Sequence, residues 1–297
     1  MNRLTETIKT KYIIRHTKKQ KADFREFIIS ELTKDGFSAN EQSANLMGIP
    51  VRNIIIGNAE AAKYLITAHY DTPNTSLFPI VMFADSFILS LMSQMTVLIP
   101  IFILSAAAGL INAALSLLVL YGGMILSMFT FTNKNNFNDN TSGVLSVLEI
   151  LYSMDEENRK NCAFILFDNE EKGLIGSSYF YKTTINKKAE VFNIDCVGDG
   201  DEIRLFCKGT LKKAGKQIES FCESGRIKST ERSLENALYM SDDNSFPNAI
   251  CFAAFRSSRF GKYISRIHTN RDTILKDENV KEVSFAIRNY IASKNRP

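Results

Sequence analysis

Apolar and polar positions alternate along this chain with several rhythms. Phe24, Phe27, Ile28 and Leu32 recur three or four apart, which predicts a helix over 21–34 ended by Asp35-Gly36. Val144, Leu145, Leu148 and Leu151 share one helical face and predict a helix over 141–154. Further helices are expected over 173–181, 210–222 and 278–292. Short apolar runs predict strands at 52–56, 64–68, 162–167, 190–194, 203–207 and 249–255. The run Cys162-Ala163-Phe164-Ile165-Leu166-Phe167 is unbroken, as in a strand covered on both faces. Strands alternating with helices predict an α/β fold, a three-layer sandwich around a mixed, mainly parallel sheet, as one domain over 1–297.

A different rhythm interrupts this pattern. The 48 residues from Ser86 to Asn133 contain no Asp, Glu, Lys, Arg or His. Core helices are amphipathic and rarely run this long without charge, and a membrane-crossing helix needs about 20 apolar residues. The segment predicts an inserted helical hairpin within 77–132, with spans near 87–107 and 111–131 and Gly109 close to the turn. Its expected partner is the lipid bilayer; a buried hairpin or a dimerisation arm is the alternative. Ser93, Gln94 and Asn112 are the polar interruptions, suited to pairing across the hairpin or to the interface.

Composition narrows the class. A charged fraction of 23% with 45% apolar residues argues against disorder. The net charge of +4, with no basic-aromatic stripe, gives no nucleic-acid signal. Lys9, Lys11, Arg15, Lys18, Lys19 and Lys21 concentrate positive charge early, and the expectation is a solvated N-terminal face. Five cysteines without C-x-x-C spacing do not form a disulfide framework. The first 30 residues show no signal-peptide pattern. These features favour a reducing, cytoplasm-facing catalytic domain at the cell membrane. The sequence leaves the oligomeric state open.

The polar residues with chemical potential cluster where predicted strands end. His69 follows the strand at 64–68, Glu170 and Glu171 follow 162–167, and Asp195 follows 190–194. In α/β sheets, ligands bind beyond the carboxyl ends of strands. With Asp139 and His268 the chain offers two imidazoles and three carboxylates, plus one extra glutamate. A carboxylate suits a two-metal site because its oxygens can reach two ions, and a free carboxylate can carry the proton of an attacking water.

The full motifs carry a resemblance. They read His69-Tyr70-Asp71, Asp139-Asn140-Thr141-Ser142-Gly143, Glu170-Glu171-Lys172-Gly173-Leu174-Ile175-Gly176-Ser177, Asn193-Ile194-Asp195-Cys196-Val197-Gly198 and His268-Thr269-Asn270-Arg271-Asp272-Thr273. In order and spacing the chain resembles the co-catalytic dizinc aminopeptidases, a family that includes glutamate carboxypeptidases and glutaminyl cyclases. The resemblance covers about 20–295 apart from the insertion. It implies two zinc ions and a peptide substrate. It implies that His69 and Asp195 hold one zinc, Glu171 and His268 the other, and that Asp139 bridges them. Glu170 would be the general base, Asp71 would accept the second ring N–H of His69, and the peptide after Asp139 would be cis. If His69 and Asp139 share a metal pair, the insertion between them crosses the bilayer an even number of times.

Two positions depart from the family pattern. Ile267 stands where relatives often carry a tyrosine that helps stabilise the oxyanion, with Tyr239, Tyr263 and Arg266 as the nearby substitutes. Asp243 stands where Ser241-Asp242-Asp243-Asn244-Ser245-Phe246 would otherwise carry a histidine. The implied activity is a membrane-anchored zinc exopeptidase of aminopeptidase type. The alternatives are a related amide hydrolase or cyclase on the same site, or a non-catalytic membrane scaffold of this fold.

Overall fold

A computed structural model describes residues 2–76, 80–128, 131–222 and 224–295. Helices α1 (Asn2–Lys11) and α2 (Lys18–Lys34) precede strands β1 (Ala39–Leu46), β2 (Ile49–Ile56) and β3 (Tyr64–His69). The short strands β4 (Asn74–Thr75), β5 (Met82–Phe83) and β6 (Phe131–Thr132) bracket helices α3 (Phe87–Gly109) and α4 (Ala113–Met128). There follow α5 (Gly143–Ser153), α6 (Glu156–Arg159), β7 (Cys162–Phe167), α7 (Ile175–Thr183), β8 (Glu190–Ile194) and β9 (Glu202–Cys207). The chain ends with α8 (Lys212–Ser220), β10 (Ile227–Glu231), β11 (Ala249–Ser258), β12 (Gly261–Ile264) and α9 (Asp277–Asn295).

The sheet runs β1-β2-β7-β3-β8-β11, with β9 and β10 beyond one part of β11 and β12 and β5 beyond its end. Strands β7, β3, β8 and β11 are mutually parallel, and β9 pairs β10 in parallel. The other pairings in this sheet are antiparallel, so the expected mainly parallel sheet holds only at its centre. For two of these pairs the reason is local. Tight turns at Met47-Gly48 and at the β11–β12 junction return the chain without a crossover helix, which makes β1–β2 and β11–β12 antiparallel.

Both faces of the sheet are covered. Cys162, Phe164 and Leu166 of β7 join Phe24, Leu148 and Ile287 from α2, α5 and α9. The alternate residues Ala163, Ile165 and Phe167 pack with Phe180 of α7 and Phe246 on the opposite face. Period-2 alternation therefore feeds two separate cores from one strand. Helix α2 starts earlier than its apolar spacing indicates. Thr17 accepts from the Gln20 N–H at 3.2 Å while the Gln20 side chain accepts from the Thr17 N–H at 2.9 Å, a capping box.

The early positive charge is not a uniformly solvated face. Arg15 is fully buried and donates to the carbonyls of Tyr70 and Tyr12 and to Thr141. Lys21, 6% exposed, donates to Asp168 at 2.6 Å and to Asn169 at 2.7 Å. Both cations sit beneath the loops that carry the acidic motifs, where buried backbone and carboxylate acceptors need donors.

The insertion is a helical hairpin with its turn at 110–112. Within the expected range 77–132, residues 77–79 and 129–130 lie outside the described residues. The arms differ from two straight spans. Helix α3 bends by 47° between Phe87–Thr96 and Leu98–Gly109. Pro100 explains the break, since it removes the N–H that would reach the Thr96 carbonyl and its ring crowds that group. The described part of α4 has 16 residues. Among the described residues no single helix is long and apolar enough to cross a membrane, although the two bent halves of α3 together reach that length and composition. Ser105 Oγ meets the Ser116 carbonyl and hydroxyl, both at 3.0 Å, across the hairpin. Gly123 lets Ile101 approach to where a Cβ would lie 2.9 Å from its methyl. Ser93 accepts from the Val81 N–H at the base, and Asn112 caps the start of α4. The outward faces are apolar: Ile88 is 67% exposed, Ile103 63% and Leu118 69%.

Candidate metal centre

The central strands deliver their C-terminal ends to one point. His69 is the last residue of β3 and is buried. Its Nε2 lies 3.4 Å from Asp139 Oδ1 and 3.5 Å from Asp195 Oδ1. On the other side of the same carboxylate, His268 Nε2 lies 3.2 Å from Asp139 Oδ2 and 3.6 Å from Glu171 Oε2. Ligand atoms of His69, Glu170 and Asp195 also gather within 4.8 Å of one another. All six residues therefore converge, and Asp139 stands between two half-sites.

Strand ends and the loops that follow them hold these residues. Asp139 follows α4 and β6 in a segment whose Asp139–Asn140 peptide is cis. Asp272 clamps that segment, accepting from the N–H of Asn138 at 2.7 Å and of Asp139 at 2.9 Å. The Asn140 side chain donates to the Ile194 carbonyl at 3.0 Å and accepts from Gly143 at 2.9 Å. Gly143 has no room for a side chain, since a Cβ would stand 2.3 Å from both the Asn140 amide oxygen and the Ile194 carbonyl. Asn169, Leu174, Cys196, Arg266 and His268 all adopt positive φ. Such strain persists only where the surroundings over-determine it, and it concentrates here in the loops around the cluster.

Asp71 is placed differently from the expectation. His69 Nδ1 meets the Asp71 backbone carbonyl at 3.0 Å, whereas the Asp71 carboxylate is 3.7 Å away. That carboxylate instead accepts from the backbone N–H of Glu170 at 3.0 Å and of Glu171 at 3.3 Å. The His69 tautomer is thus set by a carbonyl, and Asp71 caps the turn that presents the two glutamates. Burial raises the Asp71 carboxyl, but His69, Lys21 and the Glu170 N–H outweigh it and hold the group below the ordinary range.

The electrostatics call for a cation. Burial raises Glu170 and Glu171 well above the usual carboxylate range, reinforced by neighbouring acids. Asp139 is also buried, yet hydrogen bonds with His268 and His69 hold it low. Asp195 Oδ1 and Glu171 Oε1 are buried without a hydrogen-bond partner among the described residues. Buried carboxylates are costly unless paired or metal-bound. Two imidazole nitrogens with carboxylate oxygens, orphaned acceptors among them, form a donor set that fits zinc.

Sequence reasoning missed several contributors. It assigned no role to Asp272, which sits in the final motif, or to the Lys21–Asp168 ion pair below Glu170. It also passed over Asp242, which is fully buried with neither carboxylate oxygen hydrogen-bonded among the described residues, and which burial pushes up to about 7. Asn193 ties this region in, bridging Thr67 at 2.9 Å and Ser241 at 2.8 Å. The Asp243 departure has a local partner, because Arg232 grips both oxygens at 2.8 and 3.0 Å. The three residues considered in place of a tyrosine at Ile267 are engaged elsewhere. Tyr239 donates to the Asp195 carbonyl at 3.2 Å, Arg266 pairs with Asp199 at 3.4 Å, and Tyr263 packs against Phe83.

A mixed sheet that delivers buried acids and imidazoles to one point is the architecture of a metal-dependent hydrolase. Residues 127–291 match the model of peptidase family M28, so the chain belongs to that family and is a metallopeptidase-type hydrolase. Solved structures share the fold. The glutaminyl cyclase of Porphyromonas gingivalis has a TM-score of 0.61 at 16% identity, covering 99% of this chain and 95% of that one. The LapA aminopeptidase of Legionella pneumophila has a TM-score of 0.60 at 16% identity, covering 97% of this chain and 68% of that one. An Acidobacteriales bacterium glutaminyl cyclase has a TM-score of 0.57 at 13% identity, covering 99% and 92%. No curated protein sequence is significantly similar to this chain.

Proposed function

We propose that this protein is a membrane-anchored, zinc-dependent aminopeptidase with two metal positions. The observation that carries the reading is the division of Asp139. One of its oxygens faces His69 and Asp195, and the other faces His268 and Glu171. His69 and Asp195 would hold one zinc, Glu171 and His268 the other, and Asp139 would bridge them. Zinc bound there would supply Lewis acidity toward water and the scissile carbonyl.

The chain's own residues account for the remaining chemistry. Glu170 stands beside the cluster without being assigned to either metal position. A carboxylate so placed can take a proton from the attacking water and pass it to the leaving amine. Asp71 fixes where that carboxylate points by holding the Glu170 and Glu171 N–H groups. Replacing Glu170 with Gln is expected to preserve zinc content while lowering turnover by roughly 10²–10⁴-fold. Undiminished hydrolysis in that variant would refute the assignment. A panel that includes peptides with N-terminal glutamine separates hydrolysis from the cyclisation named for some structural neighbours.

The exposed apolar faces of α3 and α4 support the bilayer as the hairpin's surroundings, since a surface patch of this kind is rarely left to water. The five cysteines are free and buried, which suits a reducing compartment, and Lys134 at the hairpin base favours a cytoplasmic catalytic side. Retention of the full chain in membranes after alkaline extraction is the expected result. Quantitative release would remove the anchoring part of the reading and leave the peptidase part standing.

A further inference from the structure

A cavity of about 580 Å³ opens beside the loop that carries His268, lined by Arg256, Arg266 and Arg271 with Ser76, Thr269 and Asn270. Its size falls in the range of small-ligand pockets. Its charge is unbalanced. The acid that pairs with two of these side chains is Asp199, 5% exposed, with Arg266 Nη1 at 3.4 Å and Arg256 Nε at 3.9 Å. Arg271 makes no ion pair among the described residues. Three guanidinium groups thus face one carboxylate, an excess of two positive charges.

The cavity is tied to the metal centre. The Ser76 N–H donates to the His268 carbonyl at 2.7 Å, and the lining residues Thr269, Asn270 and Arg271 follow His268 in sequence. The Asp199 N–H donates to Asn138, the neighbour of Asp139, at 3.0 Å. Arg266 and Arg271 are two and three residues from His268. The cavity therefore borders the loop that presents the His268 imidazole, and an extended peptide covers about 3.4 Å per residue, so a ligand spanning from this loop to the metal centre is a short one.

We propose that this cavity binds the free C-terminal carboxylate of a short peptide, so that the protein is selective for di- and tripeptides. The planar guanidinium fork matches a carboxylate in charge and geometry. The proposal rests on the aminopeptidase reading, and the test separates the two. Metal-loaded, detergent-solubilised full-length protein is given one tripeptide as free acid and as C-terminal amide. The free acid is expected to be preferred in kcat/KM on the order of tenfold, mainly through a lower KM, as for one charge-assisted contact. In R271Q and in R256Q/R271Q that preference is expected to collapse toward unity, and R271K is expected to retain most of it. Equal cleavage of acid and amide by the unmodified protein would overturn the carboxylate proposal and leave the aminopeptidase reading intact. Cleavage of neither would overturn the aminopeptidase reading itself. If R271Q weakens flotation with phosphatidylglycerol vesicles but keeps the acid-to-amide ratio, the cavity serves a lipid headgroup and the proposal falls.

Discussion

Replacing Asp71 with Asn removes one acceptor from the turn that presents the glutamate pair. In the native protein its carboxylate receives two N–H bonds, from Glu170 at 3.0 Å and Glu171 at 3.3 Å. An asparagine amide has a single acceptor oxygen, and its NH2 would face the second N–H. Hydrogen bonds to charged groups contribute about 1.5–3 kcal/mol each. Losing one costs about 2 kcal/mol in positioning, or roughly thirtyfold. The loss should fall on the Glu170 and Glu171 side, because the His69 ring is held by the Asp71 carbonyl, which the substitution keeps. The assay is turnover at saturating zinc together with zinc content by mass spectrometry. Turnover is expected to fall by about thirtyfold, and zinc affinity by about 10–100-fold at one position of the two. The ring-nitrogen resonances of His69 should stay unchanged. Because the Asp71 pKa is depressed in the folded state, its contribution to stability is present above the ordinary carboxylate value. That contribution is lost as pH falls through the depressed one, so the variant and the native protein should converge in stability only in acid. A variant with native turnover and zinc affinity would refute the capping role. A changed His69 tautomer with the glutamates undisturbed would mean that the carboxylate, and not the carbonyl, orients the ring.

Two other substitutions probe the frame of the site. Lys21→Met strands the buried Asp168 carboxylate, and a loss of about 3–5 kcal/mol is expected in denaturant unfolding. K21M/D168N should recover much of it, and a single-variant loss below about 1 kcal/mol would contradict the assigned importance of the pair. Gly143→Ala drives a methyl into the Ile194 carbonyl and the Asn140 amide, so it is expected to lower zinc content and thermal stability together; native values of both would show that the segment relaxes freely.

The sequence resolved the parts governed by periodicity and by strand ends. The two-sided burial of 162–167 was visible as an unbroken apolar run, and the site residues at 69, 170, 171 and 195 lie at or just after the ends of strands that the chain does form. Elements set by turns or by partners distant in sequence were less legible. Strand β1 alternates polar residues with few apolar ones, because one side of it faces solvent, so its pairing with β2 rests on the Met47-Gly48 turn. The burial of Arg15 and Lys21 depends on acceptors at Tyr70 and Asp168, residues that no local pattern connects to them. The choice between the carbonyl at 3.0 Å and the carboxylate at 3.7 Å of Asp71 is a matter of less than an ångström, which spacing does not encode. The bend in α3 had a visible cause in Pro100 that an apolar count alone overlooks.

The short clasp at the hairpin's root, Asn74–Thr75 against Phe131–Thr132, also bears on how the protein is made. Synthesis proceeds from the N-terminus, so His69 leaves the ribosome first, the apolar arms next, and Asp139, Glu171, Asp195 and His268 only afterwards. The nascent chain must find a place for α3 and α4 while the pocket still lacks most of its donors. The hairpin is therefore synthesised before the candidate metal centre can be completed, and the clasp marks the point where the chain resumes building the interrupted half of the domain.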